Sequence, residues 1–417
     1  MKKCLRSLVI VIGLLISMGF GVVQAEPVTL KIWDMMSPAD EDGLLKAIAA
    51  FEEANPNIRI EREKFPFAGF YDKLLTAFAG NSAPDLAPVV IYYIPQMADY
   101  GIFVDVTDDV SDLADYYYPA AWDMGTYKGR VVGVPYSMDP RALGVNTAML
   151  DEAGVGDTLA TWDDLVNAAG KLTRDSNNDG RTDVYGLSLP SGTHAWVFDV
   201  WSIFTAQQGK RLFDDTGKPV FTTTEAENAL QYYADFFSQG ATTPAGYDVA
   251  LRDAFVQEKA AMAIDGPWIL EEMPRRAPDI DYRLIPIPTP TSGVPATFAS
   301  VGVWSVFRTS KHPKEAAQFL RFLTEGDYQK DRIFAGKTSP SRVAYQRPEV
   351  REYLEKDPRH AEFVAVMDQA IATPKSPYLA EILATALRAE MEAALLGIKP
   401  VPEALETAQK KALSIIQ

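Results

Sequence analysis

Apolar and polar residues alternate over residues 28–33 (VTLKIW), a period of two that predicts a strand. Leu44, Ile48 and Phe51 then keep helical spacing until Asn55-Pro56 ends the helix, and residues 57–61 resume an extended pattern. A second helix is predicted over 71–79, closing at Gly80-Asn81, and Pro84-Asp85 introduces a short strand over 86–92. This strand, helix, strand, helix, strand order implies an α/β fold. Thr161-Trp162-Asp163-Asp164 has the spacing of a capping box, and Pro313 opens an amphipathic helix through Ala316, Phe319, Leu320 and Leu323. From Pro374 onward the pattern is nearly all helical. Leu379, Ile382, Leu383 and Leu387 line one face there, so core packing is their default role.

The most informative run is AAMAIDGPW at 260–268. Its alternation suits a half-buried strand, which Gly266 and Pro267 stop by permitting a tight turn and removing a backbone donor. Trp268 then sits at a strand's end, where open α/β sheets bind ligands, and an indole offers a flat, rigid apolar face. The competing reading is a core tryptophan capping the strand. Two extended segments read as crossings between lobes: RVVGVPYS at 130–137, broken by Pro135, and YRLIPIPTP at 282–290, stiffened by alternate prolines. With KTSPSR at 337–342 there are three, which predicts two discontinuous lobes on a hinge. The expected division is 26–137 plus 288–338 for the first lobe and 138–287 plus 339–417 for the second.

The beginning of the chain reads as an export signal, residues 1–25. Lys2, Lys3 and Arg6 precede an apolar segment at 8–23, and Val23-Gln24-Ala25 supplies small residues before a cut. That segment is shorter than the roughly 20 apolar residues that span a bilayer, so cleavage is preferred to anchoring and a periplasmic location is expected. Cys4, the only cysteine, leaves with the signal, which removes disulfides, thiolate metal sites and cysteine catalysis. Losing three basic residues takes the formal charge from −16 to −19, which repels nucleic acid and anionic membranes. Eighteen tyrosines, 20 phenylalanines and seven tryptophans against three histidines suit a surface that grips by stacking.

Five pieces in order, LKIWDMM…LLKAIAAFEEANPNI, YDKLLTAFAGNSAPDLAPV, GRVVGVPYSMDPRALGVNTAMLDEAGV, AAMAIDGPWIL and VGVWSVFRTSKHPKEAAQFLRFLT, give the chain its resemblance to a family. It resembles the family 1 extracellular solute-binding proteins, the sugar-type substrate-binding components of ABC importers, similar to the maltose-binding proteins. The resemblance implies a periplasmic-binding-protein-like fold of type II, in which two α/β lobes close on a ligand and dock on membrane permease subunits. A monomer without cofactors, binding a carbohydrate or related polyol, is the expectation.

The resemblance also implies a cleft. Asp34 follows the first strand, where the family places polar contacts, although a charge at a helix N-terminus explains it equally. Of Tyr92 and Tyr93 one faces the cleft while the other packs, and Tyr93 is the choice. Asp139 and Arg141 follow the first crossing; a mutual surface ion pair is the alternative. Gly266 and Trp268 match the family's ligand-stacking corner. His194 and Trp196 lie in a region that supplies an aromatic platform. Trp304 either presents an edge to ligand or fills a strand face, and Gly302 lets a sugar approach the backbone. Arg342 ends the third crossing, where relatives with polar ligands use an arginine. Tyr378 aligns only loosely with an aromatic site.

A sugar suits such an inventory because its C–H face buries on an aromatic ring while its hydroxyls need carboxylate and guanidinium partners. Arg141 and Arg342 would also suit an acidic sugar or a phosphorylated polyol. A further motif, DSNNDGRTD at 175–183, places Asp175, Asn177, Asp179 and Asp183 at positions one, three, five and nine of a calcium loop. Gly186 stands at the twelfth position, where a bidentate carboxylate is needed, so an Asx-rich turn is the competing reading of this structural calcium. The rival function is a secreted carbohydrate hydrolase, since aromatics with paired carboxylates also describe glycosidase clefts. No Ser-His-Asp arrangement, HExxH helix or phosphate-binding glycine loop supports an enzyme.

Overall fold

Val28–Asp34 forms the first strand, with Leu30, Ile32 and Asp34 buried. Ser37 caps the helix that follows, Pro38–Ala54, accepting from the Asp40 amide at 3.3 Å, and Pro38 occupies the first turn, where no donor is needed. Ile58–Lys64 and Leu86–Val90 pair parallel to the first strand on either side, joined by helical crossovers as parallel pairing requires. A computed structural model describes residues 27–156, 158–192, 196–244, 251–371 and 373–417 of the chain.

The first sheet runs Ala370–Ile371, Thr297–Val306, Leu86–Val90, Val28–Asp34, Ile58–Lys64, and Val134–Pro140 pairs antiparallel with Thr297–Val306. The second runs Tyr282–Ile285, Ala142–Asn146, Ala260–Asp265, Tyr185–Ser188. Helices cover both sheets, giving two α/β lobes. Pro140 pairs with Ala299 in one sheet and Ala142 pairs with Asp265 in the other, so Arg141 alone spans the first passage. That passage lies beyond the expected boundary after Ser137, because Met138, Asp139 and Pro140 continue the ladder on Thr297–Val306. The second falls between Ile285 and Thr297. The chain returns to the first sheet at Ala370–Ile371, alongside Thr297 and Phe298, so residues 337–342 are not the last passage between the sheets.

Two local expectations differ in outcome. The Thr161 capping box forms reciprocally: the Asp164 amide donates to the Thr161 hydroxyl at 3.1 Å and the Thr161 amide to the Asp164 carboxylate at 2.9 Å. Ala260–Asp265, by contrast, is buried on both faces, because Ala142–Asn146 and Tyr185–Ser188 flank it and helices cover it. Alternation there reflects small and large residues, not solvent and core.

Leu30, Ile32, Leu44, Phe51, Trp304 and Phe319 belong to a core on the first sheet, and a larger apolar cluster continues through both lobes, from Val89 to Trp201, Met262 and Leu387. Among the described residues no helix is long and apolar enough to cross a membrane.

His360, in the helix Pro358–Ala365, is buried with neither ring nitrogen hydrogen-bonded and lies perpendicular to Tyr353 at 5.5 Å. Burial holds its pKa down to about 4, against the opposing charge of Asp357. The unfolded chain therefore binds the extra proton, and stability falls as pH drops from about 6.5 to about 4, by roughly 3 kcal/mol from this group. His360→Phe should flatten that part of the profile, so between pH 7 and pH 4 the urea midpoint of the parent should fall by more than that of the variant.

Candidate functional site

The Gly-Pro corner is built around Asp265. This carboxylate ends its strand fully buried and takes four donors: Arg252 Nε at 2.5 Å and Nη2 at 2.8 Å, the Gly266 amide at 2.8 Å and the Trp268 Nε1 at 2.7 Å. Burial pushes its pKa up, while Arg252 opposes the shift most. Gly266 is needed for its lack of a side chain, since a Cβ there would lie 2.6 Å from the Trp268 ring. The indole folds back over its own corner and is held by the strand end that precedes it.

Arg141, 1% exposed, joins this corner to both lobes. Its Nη1 donates to the Asp139 carbonyl at 2.8 Å, and its Nη2 to the Ser300 hydroxyl at 2.9 Å and to the Asp199 carboxylate at 3.1 Å. The guanidinium lies 4.5 Å from the Trp196 ring centre and 5.0 Å from that of Trp268, and the two indoles stand 5.4 Å apart, tilted by 43°. Both remain partly exposed. Asp199 also accepts from the Tyr92 hydroxyl at 2.8 Å, which links the end of Leu86–Val90 in the first lobe to the helix Trp196–Ala206 of the second. Burial pushes the Asp199 pKa up to about 6, with Arg141 and the Tyr92 hydroxyl pulling it back.

Asp139 stands beside this network, partly exposed, with one carboxylate oxygen accepting from the Thr338 hydroxyl at 3.0 Å. Burial raises its pKa and the nearby Arg332 opposes. Lys337, following the first-lobe helix Tyr328–Phe334, pairs at 2.6 Å with Glu271 in Ile269–Arg276, the helix that Trp268 opens. Together with the Tyr92–Asp199 hydrogen bond, this pair ties the lobes to each other on the tryptophan side.

The structure thus brings together Asp139, Arg141, Trp196, Gly266 and Trp268. The alternative ion pair between Asp139 and Arg141 does not form, because the guanidinium takes the Asp139 carbonyl and the Asp199 carboxylate instead. Asp34 is a correction: it is fully buried and both its oxygens are held by the partly exposed Arg62, at 2.6 and 3.0 Å, next to Glu41. Trp304 is another, 1% exposed and packed on Tyr136 in the first-lobe core. Gly302 makes room for that same Tyr136, whose ring would stand 2.5 Å from a Cβ, so the close approach is a side chain's and not a ligand's. Tyr93 stacks on Tyr71 at 4.1 Å, and it is Tyr92 that reaches across the lobes. Arg342 is exposed, over the Tyr118 ring, in a groove with Trp122 and Arg211 that neither Trp196 nor Trp268 lines. His194 lies outside the described residues.

The loop 175–183 turns its acceptors on itself. Asp175 accepts from the amides of Asp179 and Gly180, Asn177 from that of Asp179, Asp179 from that of Arg181, and Asp183 from the Ser176 amide and hydroxyl. These are Asx turns, and among the described residues no three acidic, histidine or cysteine side chains converge as a metal cage. Asp199, Arg252 and Asp265 escaped the sequence reading as site residues. Asp199 had a signal, as the lone acid in the otherwise apolar run WVFDVW.

The model of the bacterial extracellular solute-binding protein family matches residues 37–330. A putative binding protein of Brucella abortus is 24% identical over 379 residues, 88% of each chain. A cyclic alpha-maltosyl-1,6-maltose binding protein from Arthrobacter globiformis superposes with a TM-score of 0.83 at 23% identity, over 93% of this chain and 99% of that one. An ABC transporter solute-binding protein from Thermotoga lettingae, bound with alpha-D-tagatose, gives 0.78 at 25% identity, over 94% and 100%. With its two α/β lobes and a family model that matches most of its length, the chain belongs to the bacterial extracellular solute-binding proteins.

Proposed function

We propose that the chain is the substrate-binding component of an ABC importer: outside the cytoplasmic membrane it captures a carbohydrate between its lobes, as a monomer, and hands it to permease subunits without chemistry. The observation that carries this reading is the pair of partly exposed indoles, Trp196 and Trp268, set at the seam of the lobes beside the Arg141, Asp199 and Tyr92 network. A sugar's C–H face stacks on such rings, and the partly exposed Asp139 carboxylate, on the residue whose carbonyl Arg141 holds, can accept from a hydroxyl. The charges favour a neutral sugar: among the described residues, the two guanidiniums that lie against the indoles are both paired, Arg141 with Asp199 and Arg252 with Asp265. The sugars bound by the similar structures support the ligand class, and the signal-like pattern of residues 1–25, basic residues ahead of a short apolar run, supports the location.

The hydrolase reading loses ground on the same geometry. Asp199 and Asp265, the carboxylates bonded to the groups around the indoles, are each committed to a guanidinium, so neither is free to donate a proton or attack a sugar. A thermal-shift screen of mono-, di- and trisaccharides tests the proposal. A ligand at a hundred times its Kd stabilises the closed chain by about 2.7 kcal/mol, so at least one sugar should raise the melting temperature by a few degrees. Silence across the panel would remove carbohydrate as the cargo, and release of shortened products from any oligosaccharide would restore the hydrolase.

A further inference from the structure

A second groove, of about 830 Å³, opens between the lobes on the other side of the hinge. Helix Trp196–Ala206 fixes its position. Trp196, Asp199 and Ser202 fall three residues apart on one face, so over about 9 Å that face passes from the indoles, through the buried Asp199–Arg141 pair, to Ser202. Ser202 lines the groove and the two tryptophans do not. Its floor includes Phe298 and Ile371, from the two strands that pair at the lobe boundary; one wall holds Tyr127 of the first lobe, and the other the segments 211–218 and 373–378.

Two features point to an occupant. The hydroxyls of Ser202 and Thr373, residues 6% and 3% exposed, line the groove without a hydrogen-bond partner, whereas buried hydroxyls are almost always paired. The charges around them also cancel. Lys128 pairs with Asp99 and Lys375 with Asp123, Asp214 accepts from its own loop, and Arg211 and Lys218 face Asp214 and Asp215 in equal number. The lining is rich in donors and acceptors with no net charge, next to the open ring of Tyr378, 41% exposed. We propose that this rear groove binds a neutral polyhydroxylated molecule of sugar size, which pairs with the Ser202 and Thr373 hydroxyls and lays its C–H face on Tyr378. The volume falls in the range of small-molecule sites. Because the hinge strands lie between the two grooves, parting the lobes at the tryptophans would bring the rear walls together. A rear occupant is therefore a wedge that favours the closed form and raises affinity at the front, with the reciprocal effect on itself.

Calorimetry with myo-inositol, sucrose and trehalose tests the site. In the Trp268→Ala chain, whose front site is weakened, at least one of the three should bind one to one, and adding Ser202→Ala with Thr373→Val should lower that affinity at least tenfold. Thr216→Trp, at the exposed rim of the groove, should block the same binding without disturbing the core. No binding by any of the three, or binding that survives Thr216→Trp, overturns the proposal. The front-site reading is judged separately, by whether a saccharide that shifts the melting of the unaltered chain still binds Thr216→Trp and loses affinity in Trp268→Ala, so either can fail alone.

Discussion

Trp268→Ala should weaken binding of the carbohydrate identified by thermal shift at least thirtyfold, about 2 kcal/mol, measured by calorimetry at neutral pH. The indole is held from three directions, by the Asp265 carboxylate at its Nε1, by the tilted ring of Trp196 and by the Arg141 guanidinium. Such a ring is ordered before ligand arrives, so its stacking energy is not lost to side-chain ordering. Removing it leaves Asp265 with Arg252 and the Gly266 amide, and the partly exposed position gives up little core. The urea midpoint should therefore move little while affinity collapses. Trp268→Phe keeps a ring but leaves the Asp265 oxygen one donor short, so an intermediate loss is expected. Unchanged affinity in the alanine variant would take Trp268 out of the site; a large loss of stability would make it a core residue instead.

Asp199→Ala should have the opposite profile, a fall in folding stability of about 3–5 kcal/mol, because it leaves the Arg141 guanidinium buried without its counter-charge. It also strips the Tyr92 hydroxyl of its acceptor, so the lobes lose a bond that crosses between them. The double replacement Arg141→Met with Asp199→Leu removes both charges at similar volume and should recover most of the stability, as buried pairs exchanged for apolar groups often do. Urea unfolding of the three chains checks this. A single replacement no worse than the double would show that the pair is not coupled. The doubly replaced chain should nevertheless bind sugar poorly, since the guanidinium that positions both indoles is gone.

Features written in local spacing were legible in the sequence. The opening strand and helix units, the Thr161 capping box and the corner at Gly266 each depend on neighbours within a few residues, and each formed. What was misread depends on partners far along the chain. Asp34 reads as a free acid until the pairing of Val28–Asp34 with Ile58–Lys64 brings Arg62 beside it. A glycine before a tryptophan in a strand looks the same whether a sugar or a tyrosine ring comes close, and here Tyr136 reaches Gly302 from the neighbouring strand. The choice between Tyr92 and Tyr93 required the phase of the turn after Leu86–Val90, and Asp199 gained meaning only when a helix 107 residues away in sequence was folded against Tyr92.

The first passage from one sheet to the other rests on a single residue, Arg141, and that residue also touches both indoles. Recognition and mobility therefore share one side chain. Evolution of a new cargo preference through this position would also retune how long each captured molecule stays before release, so transport rate and selectivity in this protein should drift together and not as separate traits.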